Sequence, residues 1–299
     1  MNFEEIKQKN IKKTWYLMGG FFILITAMGY GFAQYFGNPN ILYSAVGMSL
    51  FMNFFSYFFS GNVALKMSGS KEIKRGESKE GDRFFNIVDD LRKRMNLPMP
   101  KVFLMKEKSI NAFASGRNPE NASVSITTGA MELLNDKELE GVISHELSHV
   151  KNRDILVMTI VVTLVGLIAV IADVFMRGAF RKKGSKGNII MLIVGIAFAV
   201  ISPLIAKTIQ MAVSRKREYM ADSSGAMVTN NPEGLASALE KISRQARPMR
   251  KASTATAHMF ISSPFGERKK TRVDFLERIF STHPPVKKRI ALLRGERLN

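Results

Sequence analysis

The 299-residue chain has no cysteine, which excludes a disulfide framework, thiolate zinc fingers and a cysteine nucleophile. Histidine is scarce, with only four, at positions 145, 149, 258 and 283. Acid is also short: 25 Asp+Glu face 44 Lys+Arg, a formal net charge of +19. The largest gap is in charge itself. Between Lys13 and Lys66 lie 52 consecutive residues without an Asp, Glu, Lys or Arg. No water-soluble core needs such a run, and a mean hydropathy of −0.01 over the whole chain conceals it.

A spanning helix needs about 20 largely apolar residues, so the run has room for two, from about Trp15 to Phe36 and from about Ile41 to Leu65. Gly37-Asn38-Pro39-Asn40 is the turn between them. Lys7, Lys9, Lys12 and Lys13 precede the hairpin, and Lys66, Lys71, Lys74 and Arg75 follow it. By the positive-inside rule both ends are expected in the cytoplasm. The run is too long for a cleaved signal peptide, and a second span follows at once.

Two further apolar stretches, 155–172 and 187–206, form a second candidate hairpin. Its connection carries Arg177, Arg181, Lys182, Lys183 and Lys186 with no acid, a cytoplasmic signature, and Asp173 and Pro203 interrupt the arms. Crossing the bilayer and lying in the cytoplasmic leaflet both remain open. The division expected is an N-terminal membrane hairpin (1–66), a first soluble part (67–154), the second hairpin (155–210) and a second soluble part (211–299). The fold class is a multi-pass α-helical membrane protein with a mostly α, partly β, soluble domain. The positive balance suits anionic lipid headgroups. Nucleic acid is not an expected partner, because there is no interleaved aromatic and basic platform and no recognition-helix motif.

In the first soluble part, Phe84, Ile87, Val88, Leu91 and Met95 recur at helical spacing. Residues 102–105, 111–114 and 124–127 read as short strands, and a helix opens near Asn135, which has capping-box spacing to Glu138. In the second part, Asn231-Pro232 opens a helix. Residues from about 246 to 270 read as a mobile loop, and a last helix begins around Pro284-Pro285.

The chemistry concentrates in His145-Glu146-Leu147-Ser148-His149. Residues four apart share a helix face, so both imidazoles can address one ion. Glu146, about 100° around the helix, can handle a proton without binding the metal. The bland alternative is two surface histidines on an amphipathic helix. Without cysteine, a third ligand must be His, Asp or Glu, and Glu218-Tyr219-Met220-Ala221-Asp222 offers two acids four apart. Glu218 can be the ligand while Asp222 braces a ligand histidine. Alternatively the two acids pair with Arg215, Lys216 and Arg217 on a helix surface. Both apolar stretches of the second hairpin separate His149 from Glu218, so that insert must cross the bilayer an even number of times.

Taken together, His-Glu-Leu-Ser-His, then Ser-Arg-Lys-Arg-Glu-Tyr-Met-Ala-Asp at 214–222, Asn-Ala-Phe-Ala at 111–114 and Thr-His-Pro-Pro at 282–285 resemble the HtpX family of membrane zinc metalloproteases. The resemblance covers nearly the whole chain and extends to the CAAX prenyl endopeptidases and, through the metal site, to gluzincins. It implies one zinc ion held by His145, His149 and Glu218, Glu146 as catalytic base, and Asp222 behind a ligand histidine. Asn111 falls where related enzymes bind substrate backbone at a strand edge, although a turn asparagine is the competing reading. His283 falls where a histidine stabilises the oxyanion, or is simply a helix-start residue. The implied activity is endoproteolysis of misfolded or damaged membrane proteins at the bacterial cell membrane, with the site facing the cytoplasm. A processing peptidase with one dedicated substrate would favour more spanning helices. A non-catalytic adaptor would be expected to have lost the base or a ligand.

Overall fold

A computed structural model describes residues 3–181, 215–245, 247–251, 256–265 and 284–296. The chain opens with two long antiparallel helices, α1 (Phe3–Phe36) and α2 (Asn40–Ser68). At 29 residues α2 is about 44 Å long, more than the roughly 30 Å of a hydrocarbon core. A Cβ at Gly29 would overlap Ala45, so glycine lets α1 and α2 approach closely. Gly69, at φ 70°, ends α2 in the left-handed conformation that glycine adopts without strain.

Beyond α2 come β1 (Lys71–Glu72), α3 (Lys79–Arg94), β2 (Lys101–Met105), β3 (Ala112–Gly116) and β4 (Ala122–Thr127). The strands form one mixed sheet in the order β1-β2-β4-β3. The β2 and β4 strands run parallel and the other two pairs antiparallel. This order leaves β3 at an edge. Every residue of β3 and β4 is buried, because helices cover both faces of the sheet. After α4 (Thr128–Leu133) comes α5 (Asp136–Lys151), whose first turn carries a complete capping box between Asn135 and Glu138.

The third long apolar helix, α6 (Asp154–Arg181), differs from the first two. In its most apolar 18-residue window 72% of positions are buried inside the protein, against 28% and 17% for α1 and α2. Much of its apolar surface is therefore spent on protein packing. Leu156, Ile160, Leu164 and Ile168 of α6 meet Met18, Phe21 and Ile25 of α1. The other arm of this candidate hairpin, 187–206, lies outside the described residues. Among the described residues three helices are long and apolar enough to cross a membrane.

The remaining elements are α7 (Arg215–Thr229), α8 (Pro232–Arg244) and α9 (Val286–Arg294). The main core packs α3, the sheet, α5, α8 and α9 around residues such as Phe84, Leu91, Ile126, Leu139, Ile143, Leu147 and Leu239. A second cluster joins two of the long apolar helices to the sheet, with Ala64 and Leu65 of α2, Phe113 of β3, Met158 and Val162 of α6, Met259 and Phe260.

The last two residues correct the expectation of a mobile loop over 246–270. Within its described part, His258, Met259, Phe260 and Ile261 are buried, and the Ile261 N–H donates to the Ala112 carbonyl at 3.1 Å. A composition rich in Ser, Thr and Lys hid a short buried tetrad, three of its members apolar, that the sheet edge captures.

Candidate metal centre

The site is assembled where α5 passes between the sheet and α7. Leu139, Val142, Ile143, Leu147 and Val150 anchor α5 in the main core, and the rest of its circumference is buried as well. His145 and His149 lie one turn apart, with their Nε2 atoms 3.2 Å from each other. From α7, the carboxylate oxygens of Glu218 stand 3.8 Å from His145 Nε2 and 3.5 Å from His149 Nε2. All three side chains are buried. Close packing makes the convergence possible. A Cβ on Gly225 of α7 would come within 2.8 Å of Ser144 Oγ and 3.1 Å of the His145 nitrogen.

The outer atoms of both imidazoles are fixed by carboxylates. His149 Nδ1 lies 2.9 Å from Asp154 Oδ2, and His145 Nδ1 lies 2.9 Å from Asp222 Oδ1. Carboxylates only accept, so each Nδ1 carries a proton and Nε2 is the ring atom left to face an ion. Two Nε2 atoms and a carboxylate thus converge, an arrangement suited to a cation.

The spacing fits a small divalent ion. Ligand bonds of about 2.0–2.1 Å in tetrahedral geometry place ligand atoms about 3.3–3.4 Å apart, close to the 3.2, 3.5 and 3.8 Å found here. His145, His149 and Glu218 form a cluster whose donor atoms lie within 4.8 Å of one another.

Electrostatics agree with the geometry. Burial works against a charged His149, but the Asp154 and Glu218 carboxylates outweigh it and raise its pKa to about 9. Burial likewise opposes ionised Asp222, but Arg289 and His145 pull its carboxyl down to about 2. Arg289 of α9 is fully buried, donates to Asp222 at 2.7 and 2.9 Å and to the Ile261 carbonyl at 3.3 Å. Glu146 is buried outside the cluster, and its Oε2 accepts the Ala114 N–H of edge strand β3 at 2.9 Å. Burial raises the pKa of Glu146, against the opposing pull of His145 and His149.

Asn111 sits one residue before β3 with its amide engaged. Its Nδ2 donates to the Ser262 carbonyl at 3.1 Å, and its Oδ1 accepts from the Ala112 N–H at 3.1 Å. His283 lies outside the described residues. Sequence reasoning missed Asp154, Arg217, Arg289 and Asn10. Asp154 is five residues past His149, off the helical period, and reads as the polar start of an apolar stretch. Arg217 reads as one of a basic surface run and Arg289 stands beside Lys287 and Lys288 without a reading of its own, yet both are buried.

Residues 78–297, which contain every member of the cluster, match the pattern of peptidase family M48, so the chain is a metalloprotease of that family. Its curated relatives narrow the branch. The chain is 41% identical over 304 residues to the protease HtpX homolog of Caldanaerobacter subterraneus subsp. tengcongensis, covering 97% of each chain. It is 42% identical over 287 residues to that of Pyrococcus furiosus, covering 94% of this chain and 95% of the relative. With them it belongs to the HtpX proteases. The fold is similar to the crystal structure of S. mikatae Ste24p, with TM-score 0.50 and 14% identity. That match covers 97% of this chain but 65% of the Ste24p chain.

Proposed function

We propose that this membrane metalloprotease is a zinc endopeptidase that cleaves misfolded or damaged membrane proteins. In this reading His145, His149 and Glu218 hold the ion, Asp222 and Asp154 brace the two imidazoles, and Glu146 moves the proton. One observation carries it: two Nε2 atoms and a carboxylate converge in a buried cluster, with each imidazole fixed from behind by an acid. His/His/Glu donors suit zinc among the divalent ions. When bound, zinc supplies Lewis acidity, polarising a carbonyl and lowering the pKa of water to about 7.

The chain's own groups supply the rest. Glu146 Oε2 is held by the Ala114 N–H, which leaves Oε1 to take the proton of the attacking water and return it to the departing amine nitrogen. A carboxyl whose pKa is raised by burial is suited to both halves of that transfer. An extended peptide adding to the edge of β3 would bind through main-chain groups whatever its sequence, in exchange for bonds that edge now makes to Asn111 and Ile261, a mode that suits unfolded clients over a single dedicated one. Asn111 serves there by exchanging its bond to Ser262 for the substrate backbone. His283 is assigned to the oxyanion side from its sequence position. The two soluble parts, 67–154 and 211–299, act as one catalytic unit split by the second hairpin. The charge pattern around the first hairpin supports a site on the cytoplasmic side of a bacterial membrane.

The test is cleavage of unfolded casein by purified protein with and without chelator. Glu146→Gln is expected to lose at least 100-fold in rate while keeping its metal. Full activity in that variant refutes the mechanism, and unchanged metal content in Glu218→Ala removes the third ligand. For orientation, Lys74→Cys introduces the sole thiol in the chain, and its resistance to an impermeant thiol reagent in intact cells is expected.

A further inference from the structure

The first membrane helix reaches into the metal centre. On α1 the residues Ile6, Asn10, Thr14 and Met18, four apart, form a buried stripe. An apolar residue at position 10 would pack on that stripe as well as its neighbours do, so the asparagine calls for a chemical reason. Asn10 is 3% exposed and uses all its polar atoms. Its Nδ2 donates to Asp154 Oδ1 at 2.7 Å and to the Asn152 carbonyl at 2.9 Å, while its Oδ1 accepts from Arg217 Nη1 at 2.8 Å. Arg217 Nη1 also donates to Asp154 Oδ1 at 3.0 Å. One oxygen of Asp154 is thus saturated by α1 and α7, and the other is aimed at His149 Nδ1, 2.9 Å away.

We propose that Asn10 is a positioning residue for the metal site: α1 supplies the amide that orients Asp154, and through it His149, so the ion is held tightly only while α1 is docked. The proposal rests on the reading of His149 as a metal ligand. The carbonyl of Asn152, which caps the C-terminus of α5, is held by the same amide. The N-terminal helix therefore fixes both the end of the ligand helix and the group behind its second histidine. Coupling of this kind is reciprocal, so the bound ion stabilises the docking of α1 by the same factor. The membrane anchor is then part of the site, and whatever parts Asn10 of α1 from Asp154 weakens metal binding.

The experiment uses full-length protein in detergent or nanodiscs, comparing wild type with Asn10→Leu, Asn10→Ala, Met18→Ala and His149→Ala. Zinc affinity is read by competition with a chromogenic chelator, and thermal melting is recorded on the metal-free samples. Both Asn10 variants are expected to bind zinc about 10-fold more weakly, the lower end for groups that support ligands. Their casein cleavage at limiting zinc is expected to fall in step with the lost zinc occupancy. Met18→Ala trims apolar packing while α1 stays docked and the Asn10–Asp154 contact stays whole, so it lowers melting and leaves zinc affinity unchanged.

Wild-type zinc affinity in the Asn10 variants, with zinc lost in His149→Ala, overturns this proposal and leaves the site reading standing. Wild-type affinity in His149→Ala removes the site reading itself. Failure of both Asn10 variants to fold, while Met18→Ala folds, also overturns the proposal, since the residue is then structural.

Discussion

Arg289→Met tests how firmly the centre is held from behind. The guanidinium is wholly buried and doubly bonded to Asp222, which in turn holds His145. Methionine keeps most of the stem volume, so the loss is chiefly electrostatic. Removing one partner of a buried ion pair costs about 3–5 kcal/mol, because the other charge stays buried. Against burial, Arg289 and His145 together hold the Asp222 carboxyl at about 2, so losing the guanidinium reverses part of that shift. For a domain of this size the expected fall in melting temperature is roughly 6–20 °C.

The double variant Arg289→Met/Asp222→Leu removes both charges and is expected to regain much of the lost stability. It does not regain metal affinity, since His145 Nδ1 has lost its acceptor. Thermal melting of metal-free full-length protein and chelator competition on the same samples give both readings. A single variant melting within about 2 °C of wild type, where one lost kilocalorie already moves a domain of this size by 2–4 °C, refutes the reasoning. So does a double variant with wild-type metal affinity.

Further consequences follow from the same geometry. Asp154→Asn removes the charge behind His149 and is expected to weaken metal binding about 10–100-fold in a chelator titration. His149 is raised to about 9, so below that pH the ion must displace a proton. Metal affinity should climb about tenfold per unit from pH 7 to 9 and then level, and a flat profile contradicts the shift. In the metal-free protein the same shift adds stability below about pH 6.5, its unperturbed value, and that stability is lost as pH rises through 9. Asp222 behaves oppositely: its contribution is complete above about pH 4 and fades towards 2, an acid limb that melting curves of Arg289→Met should show reduced. Gly225→Ala forces α7 away from Ser144 and His145, with an expected cost of about 1–3 kcal/mol in denaturant unfolding and weaker metal binding.

Much of this molecule is legible in one dimension because the relevant physics is local. The 52-residue uncharged run announces a membrane hairpin by length alone. The spacing of His145 and His149 puts two imidazoles on one turn of α5, and Asn135 with Glu138 marks where that helix begins. Glu218 and Asp222 share a helix face by the same rule, but periodicity could not choose between a metal ligand pair and a surface acidic pair. Only packing places Glu218 within 4 Å of both imidazoles, because Gly225 lets α7 lie against α5.

The surrounding shell is nowhere written in the local pattern. Asp154 looks like the polar lip of an apolar helix, Asn10 like filler among lysines, and Arg289 like one more base in a basic tail. Each acquires its role from a partner 5, 142 or 67 residues away, across a contact set by burial rather than by periodicity. The tetrad ending at Ile261 was lost in a polar composition for the same reason: a sheet edge, not its own sequence, gives it structure. Sequence alone determined which residues can bind an ion and which helices can enter a bilayer, since both depend on residue type and spacing along one helix. Tertiary structure decided which charges stand behind the two imidazoles, because a buried charge is tolerated only where the fold delivers its counterpart.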